Sequence, residues 1–77
     1  MINGKNLIWK NVVSSFKLTL LQNYHKDKLI HVWPIALTIN ENKQIAHDLI
    51  LQLEVEGFLI CRTENNLEKA CFYLCPQ

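Results

Sequence analysis

The sequence predicts one small α+β domain built from three helices, a short first strand and a C-terminal β-hairpin. Apolar residues recur at helical spacing from Asn6 to about Tyr24 and again across Ile45 to Leu53. Two alternating runs, Phe58 to Thr63 and Lys69 to Leu74, flank the turn-forming pair Asn65 and Asn66, which is the pattern of a hairpin. At 77 residues the chain has room for a single core and not for two, so one domain spanning 1–77 is expected.

Each element has a local cause. In the first helix Ile8, Trp9, Val12, Val13, Phe16 and Leu20 form the apolar stripe, with Lys10, Ser14 and Lys17 elsewhere on the wheel. Leu18 and Leu21 lie off that stripe, and an extra apolar flank suits a contact between two subunits or a widened core face. The polar segment Asn23 to Lys28 is a loop, and Leu29 to His31 is a short strand. Pro34 fits the first turn of a helix but not its interior, so a short helix begins near Val32 or Trp33 and ends by Ile39, with Asn40 as its stop. Asn42 is a good N-cap for the third helix, whose face Ile45, Ala46, Leu49, Ile50 and Leu53 is continuous over three turns, and Gly57 ends it. With Asn65 and Asn66 in the turn, the hairpin register sets Leu59 opposite Phe72 and Cys61 opposite Ala70. The other face of the hairpin then carries Phe58, Ile60, Arg62, Cys71 and Tyr73.

Composition narrows the function classes. Nearly half the residues are apolar, glycine and proline are scarce, and no run approaches the length of a membrane helix, so a packed domain without a membrane partner is expected. The N-terminus lacks a basic-then-apolar secretory pattern, which makes the cytoplasm the expected location. Cys61, Cys71 and Cys75 are odd in number and read as reduced thiols. They do not converge as zinc ligands should, the histidines His25, His31 and His47 are scattered, and no glycine-rich phosphate loop occurs. No catalytic residue, metal or cofactor is therefore expected. Trp9 and Trp33 sit among apolar neighbours at helical spacing, which favours core packing over base stacking.

The element order is the plan of a winged helix-turn-helix, in which the third helix enters a major groove and the hairpin serves as the wing. The stretch from Ile45 to Leu59 resembles the recognition helix and wing entry of MarR-type regulators. It is similar also to the small pilus phase-variation regulators, whose helix ends in a signature comparable to Leu53-Glu54-Val55-Glu56-Gly57. The likeness covers about half the chain. It implies double-stranded DNA as the partner, transcriptional regulation as the function, and a homodimer as the working form.

On that resemblance Lys43, Gln44 and His47 in the first turns of the third helix would read base edges. Arg62, Asn65, Asn66 and Lys69 of the wing would meet the backbone. Charge is uneven. Residues 1–43 carry six lysines against Asp27 and Glu41, giving +4, while 44–77 carry Arg62 and Lys69 against five acids, giving −3. Asp48 and Glu54 on the outward face of the third helix oppose phosphate, as do Glu64 and Glu68 on the wing, so Lys5, Lys10, Lys17, Lys26 and Lys28 are expected to supplement the grip. Leu51 and Val55 are also expected outside the core, beside Phe58 or Ile60. They support the alternative of a winged-helix protein-interaction module, with Leu18, Leu21, Leu51 and Val55 as contact residues.

Overall fold

The computed structural model of the chain describes the backbone of residues 4–76 and the side-chain surroundings of residues 8–76. Helix α1 spans Gly4–Gln22, strand β1 Ile30–His31, helix α2 Trp33–Ile39, helix α3 Lys43–Val55, strand β2 Leu59–Ile60 and strand β3 Cys71–Leu74. The three strands form one antiparallel sheet in the order β1-β3-β2. The result is an α+β fold of three helices and a small sheet, compatible with the winged-helix plan.

Helix α1 buries Val13, Phe16 and Leu20, and Trp9 and Val12 pack against the same core. Ile8, expected on that stripe, is 64% exposed. At about 100° per residue Ile8 sits about 80° around the helix from Phe16, on the opposite side from Val13 and Leu20. The helix stops at Gln22, where the Asn23 and Tyr24 amides donate to the carbonyls of Leu20 and Leu21 in a tightened last turn.

Pro34 lies in the first turn of α2, and Trp33 and Ala36 face inward. Two asparagines then set the passage into α3. The Asn40 side chain accepts from the Asn42 amide at 2.9 Å, and the Asn42 side chain accepts from the amides of Gln44 at 2.9 Å and Ile45 at 3.3 Å. Those bonds satisfy donors that the first turn of a helix leaves free. Ala46, Leu49, Ile50 and Leu53 of α3 are buried against α2 and β2. Gly57 adopts a φ of 79°, and the Phe58 amide closes back on the Leu53 carbonyl at 2.9 Å, a Schellman stop.

The hairpin departs from its expected register. Leu59 faces Leu74, not Phe72, and Ile60 faces Tyr73. Beyond Ile60, the Thr63 amide donates to the Cys71 carbonyl at 3.1 Å, so Cys61 and Arg62 together stand opposite the single residue Phe72. This is a β-bulge, and Cys61 carries its left-handed backbone with φ 60°. The extra residue inverts the alternation: Cys61 is exposed, whereas Arg62 turns to a half-buried position. Asn65 and Asn66 do not form a tight two-residue turn. Asn66 instead starts a single helical turn, its carbonyl accepting from Lys69 and Ala70 and its side chain from Glu68. That turn drives Leu67 into the core, which is why β3 begins at Cys71 rather than Lys69.

Candidate nucleic-acid interface

The first turns of α3 and the loop joining β2 to β3 face each other across a cleft of about 350 Å³, lined by Trp33, Lys43, Gln44, His47, Asn65, Asn66, Leu67 and Glu68. Lys43, Gln44 and His47 share one side of α3 because they lie three and four residues apart. Asn65 and Asn66 reach the cleft because buried Leu67 anchors the loop behind them. Trp33 and Leu67 form its floor and both belong to the core. Five of the side chains expected to contact DNA thus converge from segments about twenty residues apart.

The acidic side chains of α3 and its C-cap have partners, whereas no ion pair or hydrogen bond is formed by the carboxylates of Glu64 and Glu68 on the loop among the described residues. Glu54 takes a two-pronged ion pair from Arg62: Nε donates to Oε2 at 3.0 Å and Nη2 donates to Oε1. The same guanidinium donates through Nη1 to the Asn65 carbonyl at 3.4 Å. Bonding to the Glu54 carboxylate pushes the Arg62 pKa above the ordinary arginine range. Glu56 accepts from Lys17 Nζ at 2.5 Å and from Gln52 Nε2 at 2.7 Å, and these two bonds, that from Lys17 foremost, hold its carboxyl below the usual range. Asp48 accepts from Gln44 Nε2 at 3.0 Å. His47 Nδ1 is 3.9 Å from the Asp48 carboxylate, too far for a hydrogen bond, and this ring nitrogen is buried without a partner.

Two of the expected grip points are placed differently. Arg62 is held by Glu54 and by the Asn65 carbonyl, so it is not a free cation of the loop. Lys69 is exposed but lies outside the cleft lining. Among the described residues, none of the lysines expected to supplement the grip lines the cleft. Lys17 is committed to Glu56 and stands 5.6 Å over the Phe58 ring. Lys26 lines a separate cleft with Tyr24, Ile60 and Tyr73 on the outer face of the sheet. Lys10 and Lys28 are exposed, and Lys5 lies outside the described side chains.

Of the expected protein-contact residues, Leu18 and Leu21 are 62% and 40% exposed and border a groove of about 450 Å³ with Ser14, Lys17, Glu56, Phe58 and Cys75. Val55 is 84% exposed. Leu51 corrects the expectation, since it is half-buried and packs against the core.

The Glu54–Arg62 pair, the Lys17–Glu56 pair and the bond from His31 Nε2 to the Glu68 carbonyl at 2.8 Å were not foreseen from the sequence. Only the first left a trace in it, as opposite charges facing each other across a helix-to-strand turn. Among the described residues no helix is long and apolar enough to cross a membrane, and no three His, Cys, Asp or Glu side chains are grouped to hold a metal ion. Comparison of the chain with family models, with curated proteins and with solved structures gave no match.

Proposed function

We propose that this chain is a small winged helix-turn-helix module that binds double-stranded DNA and acts as a transcriptional regulator through occupancy alone, without chemistry. The convergence of Lys43, Gln44, His47, Asn65 and Asn66 on one cleft carries the reading. The exposed first turns of α3 offer the Gln44 amide to base edges and the Lys43 cation to phosphate, and the β2–β3 loop is the wing that follows the backbone. Pairing of Glu54 with Arg62 and of Glu56 with Lys17 removes much of the acidity that would oppose phosphate on this helix.

The grip is modest. Lys43 and Lys69 are its principal phosphate contacts, so the slope of log affinity against log salt is about −2. Fluorescence anisotropy with a random duplex at low salt measures this directly. Binding that weakens with that slope, and a specific affinity that falls roughly tenfold or more when Lys43 and Gln44 are both changed to Ala, support the reading. Absence of duplex binding at every salt concentration rejects it.

Exposed Leu18 and Leu21 favour a second use of the same fold, as a protein-interaction module or as the contact between two copies of this chain. The two uses coexist if that face pairs subunits while the cleft meets DNA.

A further inference from the structure

We infer that the Glu54–Arg62 ion pair is a positioning device that fixes the height of the wing over α3, so that Arg62 shapes the cleft instead of gripping phosphate. The inference rests on the DNA reading for its consequence and on geometry alone for its substance. Arg62 spans three parts of the fold. It emerges from the bulge after β2, clasps Glu54 on the last turns of α3 through two of its nitrogens, and reaches the Asn65 carbonyl at the tip of the loop through a third.

The bulge makes this possible. In an unbroken strand Arg62 would share the outer face with Ile60. The left-handed Cys61 shifts the alternation by one and brings the guanidinium round toward α3. A planar fork matched to a carboxylate holds an orientation that a lysine ammonium cannot. Both side chains are partly exposed, at 27% and 29%, and three of the guanidinium donors are already taken by Glu54 and the Asn65 carbonyl.

Other tethers hold the loop: at its start Thr63 donates its amide to the Cys71 carbonyl at 3.1 Å and accepts the Cys71 amide on Oγ1 at 2.8 Å, and in its C-terminal half Leu67 sits in the core and His31 Nε2 bonds the Glu68 carbonyl. Arg62 is the tether that reaches Asn65 itself. With it in place Asn65 and Asn66 face Lys43, Gln44 and His47 before any ligand arrives. The cleft is then set in advance, and binding does not have to order the wing.

Three variants test this: Glu54→Gln, Arg62→Gln, and the reversed pair Glu54→Arg with Arg62→Glu. Amide exchange and backbone relaxation of residues 63–68 in the free protein report the wing itself, and anisotropy with duplex reports its consequence. Either single change speeds exchange in the loop, weakens duplex binding by the same factor, roughly tenfold, and leaves the salt slope unaltered, while the reversed pair recovers only part of either effect, because a carboxylate at position 62 has no donor for the Asn65 carbonyl. Loop amides unmoved by either single change overturn the inference whatever the duplex data. It is equally overturned if Arg62→Gln flattens the salt slope by about one unit while Glu54→Gln tightens binding, for Arg62 is then a phosphate contact. If the native chain binds no duplex, the DNA reading fails separately and the amide measurements alone decide the role of the pair.

Discussion

Glu56 shows how one residue can change meaning once its partners are known. By charge it opposes DNA, yet Lys17 and Gln52 hold its carboxylate and lower its pKa from 4.5. A carboxyl whose folded pKa is depressed contributes stability that is present above the unfolded value and lost as the pH falls through the folded one. With both partners about one-third exposed, the contribution is small, about 0.5 kcal/mol. Glu56→Gln is therefore expected to lower the denaturation midpoint slightly at neutral pH and not at all once the pH is below the folded pKa. Urea titrations of both proteins at the two pH values give the difference; a penalty that persists in acid would mean that packing, not charge, is what Glu56 supplies.

Among the elements, α3 was the most legible in the sequence and the hairpin the least. Asn42, the apolar face from Ile45 to Leu53 and Gly57 each act within a few residues of their own position, so pattern alone places the helix and both its ends. Asn42→Ala removes the acceptor for the Gln44 and Ile45 amides and is expected to cost about 1 kcal/mol, measured by chemical denaturation, with Asn42→Ser recovering most of it. The hairpin failed differently. Strand alternation was read correctly up to Ile60, but the left-handed Cys61 inserts an extra residue, and Leu67 between the strands turns into the core, neither of which a two-residue period shows. For the same reason Arg62 was assigned to phosphate and Leu51 to the surface: each position is decided by a neighbour from another element. The cleft itself was foreseeable in its members but not in its balance, because Lys17–Glu56 joins residues that are 39 apart in sequence.

At the scale of the whole molecule a single apolar core supports everything, with no polar or charged residue wholly buried among the described residues. A chain of 77 residues has a stability on the order of 4–12 kcal/mol. Leu53 is fully buried, so Leu53→Ala should remove about 3 kcal/mol and lower the melting temperature by roughly 12–24 °C; circular dichroism checks this. That core fixes α3 and the wing on the same side of the protein, and the proposed function depends on their facing one another. A titration of the isotope-labelled chain with short duplex DNA at low salt, followed by proton–nitrogen correlation spectra, tests this arrangement most directly. Saturating shifts are expected at Lys43, Gln44, His47, Asn65 and Asn66, with Leu18 and Leu21 unmoved. Spectra that stay unchanged, or shifts confined to the groove beside Leu18, Leu21 and Phe58, would contradict it.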